Sequence, residues 1–354
     1  MPQEPHIALV RAVDVGYHNT KYTLGLGEDE TTIKTGIFPS LAVRLGSRDV
    51  KVMPGAEKAN ACCVVVNDKP FWVGPDVAEN ASGVEPRPVL DDYSVSDQYL
   101  ALLRGALHYM LRASGARTMV IRYLVVGLPL TTFQSRQAAL KLRCMGVHHV
   151  DAADESRTVK VENVHVVPQP QGALMNFGVS NPMSPDSQTL VVDIGGGTTD
   201  WLLATKRRPN LERSGAHPKG MLACAEAVAV AAEHPRWINQ YNIMQRIDLA
   251  LREGHDHFHA AGADWTLAKY RPAIDGVLEE SVDKMMATVK ETDDVDRIVL
   301  TGGGAKAFAA VLVRKRPDLE KRIGKIEKES VYSNVRGFQI FGETMAKRAA
   351  NATR

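Results

Sequence analysis

"LVVDIGGGTTDWLL" (residues 190–203) places a carboxylate where a buried strand should stay apolar. Asp193 closes a run of Leu and Val, and three glycines, two threonines and Asp200 follow before the chain turns apolar again. Burying a carboxylate is costly unless something pairs with it. Either Asp193 caps a tight hairpin, as Asp often does in turns, or it faces a ligand.

The N-terminal stretch weighs against the simple turn. "VDVGYHNTKYTL" (13–24) aligns without a gap to "VDIGGGTTDWLL" (192–203), with Val, Asp, Gly, Thr and Leu at matching places. The repeat predicts two strand–turn–strand hairpins, each with an Asp ending its first strand and Gly in its turn. Glycine permits positive φ and a close approach of backbone to ligand. The freed N–H groups and Thr hydroxyls then make a concavity suited to anions. Two such turns facing each other would hold a polyphosphate, with Asp14 and Asp193 on either side. Carboxylates beside phosphates call for a divalent cation, and Mg²⁺ keeps most of its waters and needs few protein contacts.

A third glycine cluster, "DRIVLTGGGAKAFAAVLVRK" (296–315), reads as strand, turn and helix. A helix N-terminus reached through bare glycine suits a phosphate or a nucleotide's sugar and base edge; an ordinary tight turn is the alternative. None of the three clusters fits GxxxxGK[ST] or GxGxxG, which argues against a P-loop or Rossmann dinucleotide enzyme.

The 354 residues suffice for two domains or one large two-lobed body. Hydrophobic residues at 44% and charged residues at 24% match a soluble globular protein. Lys plus Arg number 43 against 41 acids, so a net charge of +2 gives no electrostatic reason for direct nucleic-acid binding. The start, "MPQEPHIALVRAVDVG", lacks signal-peptide character. No apolar run reaches the ~18 residues of a membrane span. Cys62, Cys63, Cys144 and Cys224 show no CxxC spacing and read as reduced thiols. A cytoplasmic protein is expected.

Between the glycine clusters the chain alternates strands and helices, so the expected class is α/β in two similar halves. A mixed, Gly/Pro-punctuated stretch (about 28–92) contains strand-like "ACCVVV" and "PFWVG". Residues 97–113 align Leu100, Leu103, Leu107 and Leu111 on one helical face. Strand "MVIRYLVVGLP" follows, then a helix after Thr132, then a strand ending in "VHVVPQPQGALMNFG", from which a helix starts near Pro170. "SNPMSPDSQ" (180–188) is the expected linker. Residues about 220–292 read as mostly helical. The halves divide as 1–187, with a small subdomain at about 28–92, and 188–354, with a core of 188–212 and 296–340 around a helical subdomain at about 213–295. The final helix is expected to pack back on the first half.

In combination, "DVGYHNTK", "VVGLPLT", "VVPQPQGAL", "DIGGGTTD", the "TGGGA" turn and "YSNVRGFQIFG" resemble the actin/heat-shock-chaperone/sugar-kinase ATPase superfamily. Within it they look most like the ParM/StbA plasmid-segregation actins, with the actin-like D proteins of the PRTRC plasmid or integrative-element system as the nearest group. The motifs run from residue 13 to 342. The resemblance implies two ribonuclease-H-like halves around a cleft that holds ATP (or GTP) with Mg²⁺.

It places Asp14, Gly16, Asn19 and Lys21 on the first phosphate motif, and Asp193, Gly195, Gly196, Gly197, Thr198 and Thr199 on the second. Asp14 and Asp193 would hold the metal through water. Gly302, Gly303 and Gly304 fall on the adenosine motif. Gln169 lands where relatives orient the attacking water, with Gln171 as its rival; an amide can hold a water by accepting and donating hydrogen bonds. Lys21 reads as a phosphate counter-charge. Asp200 is placed to assist the metal or water, although the first copy carries Lys there. Tyr17 and His18 stand where family members often carry small hydroxyl residues, and they contribute backbone N–H groups. Gly215, Lys219, Gly220 and Glu226 lie where relatives contact the nucleotide from the smaller lobe.

Other features read as structural. "GHDHFHAAG" (254–262) is expected to be an exposed helix end rather than a metal site. "VRKRPDLEKRIGK" (313–325), with six Lys/Arg against two acids, is expected to be a solvated surface.

The function the resemblance implies is a nucleotide-dependent, filament-forming ATPase that segregates or positions a plasmid or mobile element. Its partners would be further copies of itself, and DNA through an adaptor protein. One alternative is a non-polymerising nucleotide switch. The other is a small-molecule kinase, which would need a base near the acceptor hydroxyl; no such motif stands out.

Overall fold

The computed structural model describes residues 4–29, 31–44, 60–79, 92–181, 187–205 and 208–352. Much of the expected linker at 180–188 (residues 182–186) and of the mixed stretch (residues 45–59 and 80–91) therefore lies outside the described residues.

In chain order the first half runs β1 (His6–Val15), β2 (Asn19–Leu26), β3 (Ile33–Pro39), β4 (Val43–Arg44), β5 (Cys62–Val66), β6 (Lys69–Val73), α1 (Asp97–Ser114), β7 (Thr118–Leu128), α2 (Leu130–Cys144), β8 (Gly146–His149), β9 (Thr158–Pro168) and α3 (Gln169–Ser180). The second half runs β10 (Gln188–Ile194), β11 (Thr199–Thr205), β12 (Arg208–His217), α4 (Met221–Ala231), α5 (Tyr241–Glu253), β13 (His257–Ala260), β14 (Ala263–Thr266), α6 (Arg271–Val289), β15 (Arg297–Thr301), α7 (Ala305–Lys315) and α8 (Ser333–Ala352).

The two central sheets share one plan. The first has the order β3-β2-β1-β7-β9-β8 and the second β12-β11-β10-β15. In each, three antiparallel strands are followed by parallel additions: β7 on β1 and β9 on β7 in the first, β15 on β10 in the second. The repeat read from the sequence is visible atom by atom. Asp14 pairs in register with Lys21, and Asp193 with Asp200. Each turn is closed by one backbone bond, Gly16 N–H to Asn19 O at 3.2 Å and Gly195 N–H to Thr198 O at 2.9 Å.

The strands read as nearly continuous Val/Leu/Ile because both faces of each central sheet are covered. Val191 and Leu202 pack against Ala173 and Leu174 of α3, whereas Leu190, Val192 and Leu203 join the core of α4 to α7. In the first half, Leu100, Leu103, Leu107 and Leu111 of α1 are all buried against the sheet, as their spacing predicts.

α8 returns to the first half. Phe338 packs with Ala12, Val125 and Val167, and the Gln339 amide donates to Val10 O while its oxygen accepts from Thr23 Oγ1. α3 and α8 cross with their backbones in contact: a Cβ added to Gly337 would sit 1.7 Å from Gly172 O. The cleft therefore rests on a floor of two helices, one against each sheet.

Two local readings need correction. α2 starts at Leu130 rather than after Thr132. The 220–292 stretch includes the β13–β14 hairpin, so the exposed His257 and His259 share one strand face instead of ending a helix. Gly254 in left-handed conformation (φ +75°) stops α5 before them. His259 pairs with Asp264 at 2.9 Å, and no cluster of three or more metal-ligating side chains occurs among the described residues. The basic 313–325 stretch lies mostly at the surface, as expected, and three of its six cations are paired locally: Arg314 with Asp275 and Glu279, Lys315 with Asp283, and Arg316 with Asp318.

Candidate functional site

The two hairpin turns, the third glycine turn and the start of α8 converge on one open cavity. Asp14, Gly16, Tyr17, His18, Asn19, Lys21 and Gln169 line it from the first half. Asp193, Gly195, Gly196, Gly197, Thr198, Gly302 and Gly303 line it from the second. Gln171 is absent from that lining, so of the two rivals only Gln169 faces the cavity.

Each acid is held by a named partner. Asp14, at 1% exposure, accepts from Lys21 Nζ at 3.1 Å and from Gln169 Nε2 at 2.8 Å. Asp193 accepts from Asn334 Nδ2 at 2.6 Å. Burial pushes the Asp193 carboxyl up to about 6 against the help of Asn334 and Lys21, and the charge of Asp14 adds to the rise. Asp200 sits one layer back, accepting from Thr198 Oγ1 at 2.6 Å and from Leu130 N–H at the start of α2 at 3.0 Å. Burial first, with Asp193 and Asp14 adding to it, pushes Asp200 up to about 7.

Glycine is required here mainly by backbone crowding. A Cβ at Gly220 would lie 2.5 Å from Gly195 O, because α4 starts against the second turn: Met221 N–H and Leu222 N–H donate to Gly195 O and Gly196 O. Those bonds fix the turn's carbonyls toward α4. Among the described residues the N–H groups of Gly196, Gly197 and Thr198 take no protein acceptor, which is what an anion cradle requires. Gly302, at φ +84°, crosses directly over Ile194 O and Asp193 Oδ1.

Several expected contacts lie behind the lining rather than in it. Thr199 donates its hydroxyl to Lys219 O, Lys219 reaches outward to Glu280 at 2.6 Å, and Gly215 packs on the Trp201 ring. Gly220, Gly304 and Asp200 support the turns from outside the cavity, and Glu226 is exposed on α4, its carboxyl raised by partial desolvation.

Other lining residues carry no role in the sequence reading: Ser94, Tyr99, Asp248, Arg252 and Asn334. Four residues of this lining, Ser94, Tyr99, Asp248 and Asn334, each carry a buried side-chain oxygen without a protein partner. Two carboxylates, a lysine and free backbone amides together fit a phosphate-bearing ligand with a hydrated cation.

Comparison with known proteins agrees with the architecture. Residues 12–172 match the actin-like protein N-terminal domain, and residues 191–314 match the C-terminal domain of the archaeal actin homologue MreB-like family. No curated protein matches the sequence significantly. Solved structures with the same fold include the actin-like protein Alp7A (TM-score 0.73, 14% identity, 98% of this chain and 99% of that one). The archaeal actin homologue Ta0583 in complex with ADP superposes with TM-score 0.70 at 20% identity over 95% of this chain and 100% of that one. A ParM from a 15-stranded filament of Clostridium botulinum gives 0.68 at 20% identity over 96% and 100%. Two domain matches in the right order, on a duplicated sheet plan that faces one cleft, establish that the chain belongs to the actin-like protein family.

Proposed function

We propose that the chain is a nucleotide-dependent actin-like ATPase that assembles into filaments and thereby segregates or positions a plasmid or mobile element. The observation that carries the nucleotide reading is the pair of register-matched hairpins whose acids, Asp14 and Asp193, face one cavity. In this reading ATP (or GTP) lies with its phosphates between the turns 16–19 and 195–198 and its nucleoside toward Gly302 and Gly303. Mg²⁺ held through water by Asp14 and Asp193 would neutralise phosphate charge. Lys21 supplies a further counter-charge.

Gln169 positions the attacking water. Its Nε2 is committed to Asp14 at 2.8 Å, which fixes the amide plane and leaves Oε1 as the acceptor for a water proton. Positioning and charge neutralisation are the main protein contributions to phosphoryl transfer to water. The functional halves are taken as 1–187 and 188–354, and Gly215, Lys219, Gly220 and Glu226 support the nucleotide from behind the second turn.

Self-assembly is supported by the filament-forming relatives that share the fold, among them the botulinum ParM and Alp12. No described helix is long and apolar enough to cross a membrane, and the balanced charge favours contact with DNA through an adaptor. A cytoplasmic location goes with this reading. Pelleting and light scattering with ATP, ADP and a non-hydrolysable analogue test it. Assembly should require triphosphate, and a sedimentable fraction that Mg-ATP leaves unchanged across salts and protein concentrations would overturn the filament reading.

A further inference from the structure

The first turn carries Tyr17 and His18, and both side chains have specific partners. Tyr17 stacks on Tyr93 of its own half, with ring centroids 4.9 Å apart. His18 crosses the cleft. Its Nε2 lies 3.0 Å from Asp248 Oδ2 on α5, and Arg252, one turn further along α5, brings Nε to 2.7 Å from the same oxygen. The His18 and Asp248 side chains are only 7% and 1% exposed. Burial opposes a charge on Asp248, but His18 and Arg252 outweigh it and hold the carboxyl at about 2.

The two turns also meet at their tips. A Cβ at Gly196 would lie 2.5 Å from His18 Cβ, so glycine at 196 is what lets the histidine pass. α5 belongs to neither central sheet; its apolar residues Met244, Ile247 and Ala250 pack within the second half. The other cross-cleft bonds described above, Leu130 to Asp200 and Asn334 to Asp193, reach the β10–β11 hairpin. The His18 contact instead reaches the helical part.

We propose that His18 and Asp248 form a clasp across the cleft that ties the first phosphate turn to α5, and that release of bound nucleotide requires the clasp to open. The proposal rests on the nucleotide reading of the cavity. Opening the cleft strips a buried carboxylate of one of its two partners, and a polar contact to a charged group lost in this way slows opening by on the order of tenfold or more. His18 and Asp248 both line the cavity, so the clasp closes over the space that the ligand would fill.

The test uses the full chain with His18→Ser, His18→Gln, Asp248→Asn and the His18→Ser/Asp248→Asn double variant. The first measurement is the dissociation rate of a fluorescent ADP in Mg²⁺. The second is the distance distribution between spin labels on the two halves of the ligand-free protein. His18→Ser and Asp248→Asn should each speed release about tenfold and broaden the distribution. His18→Gln, which retains a neutral donor, should fall between them and wild type. The double variant should be no faster than the faster single variant, because either change removes the same contact. Release within twofold of wild type in the singles, or rate effects that multiply in the double, overturns the proposal. If wild type binds no nucleotide, the reading of the cavity fails, and the ligand-free distances still judge the clasp: an unchanged distribution in the His18 variants overturns it. If Asp248→Asn does not fold, the two His18 variants decide the question.

Discussion

Replacing Asp193 with asparagine should make the ligand-free protein more stable at neutral pH while removing its response to Mg-nucleotide. Asp193 is 7% exposed and its carboxyl is raised from 3.8 to about 6, first by burial and then by the charge of Asp14. A carboxyl that holds its proton more tightly folded than unfolded stabilises the fold fully below about pH 3.8. That contribution is lost as pH climbs through about 6. The gap of roughly two pH units, at about 1.4 kcal/mol each, makes the ionised form cost about 3 kcal/mol in the empty protein. The amide removes that cost and still offers an oxygen to Asn334 Nδ2, which now donates to Asp193 Oδ2 at 2.6 Å. Thermal and denaturant unfolding from pH 4 to pH 8 should show the variant gaining on wild type across the window from 4 to 6 and staying ahead above it. Adding Mg-ATP should raise the melting temperature of wild type and leave the variant unmoved. A variant less stable than wild type at pH 8, or one that keeps the nucleotide-induced shift, would refute the assignment of Asp193 as a carboxylate kept at a stability cost for a cation.

The remaining predictions concern neighbouring parts of the same machinery. Gln169→Ala should bind nucleotide and assemble but hydrolyse at least tenfold more slowly, whereas Gln171→Ala, outside the cavity lining, should turn over like wild type; phosphate release assays separate them. Gly337→Ala pushes a methyl to 1.7 Å from Gly172 O between α3 and α8. It should cost at least about 1–3 kcal/mol of stability, the range for overpacking, read from denaturant midpoints. Asp200, pushed up to about 7 mainly by burial, has the same sign as Asp193. Asp200→Asn should therefore flatten the fall in wild-type stability between about pH 4 and pH 7, and a fall unchanged in the variant would contradict the burial argument.

The parts of the molecule legible in the sequence were those where one physical constraint governs a contiguous stretch. The hairpin repeat could be read because a strand, an acid at its end and a glycine turn are local, and their duplication excludes chance better than either copy alone. The helix of the first half could be read because Leu100, Leu103, Leu107 and Leu111 each face the same sheet. The α8 return was expected, but the contacts that make it, Phe338 on Ala12, Val125 and Val167 and Gln339 on Val10 and Thr23, join distant segments that no local pattern encodes. The same limit hid Asn334, whose amide reaches Asp193 from the far end of the chain.

Asp248 differs, because a signal for it exists. On α5 the buried stripe runs through Tyr241, Met244 and Asp248, so a carboxylate occupies the apolar face of an amphipathic helix, and Arg252 stands one turn later to pair with it. That is the anomaly that singled out Asp193 at the end of its strand: a charge placed where burial would punish it. Weighed by the same rule, "MQRIDLALR" (244–252) points to a second acid turned toward the cleft, and the partner that answers it is the histidine standing in a phosphate turn. A charge on an apolar face is thus the most transferable signal in this chain. It marks positions where the fold accepts a local cost and part of the compensation comes from a distant segment.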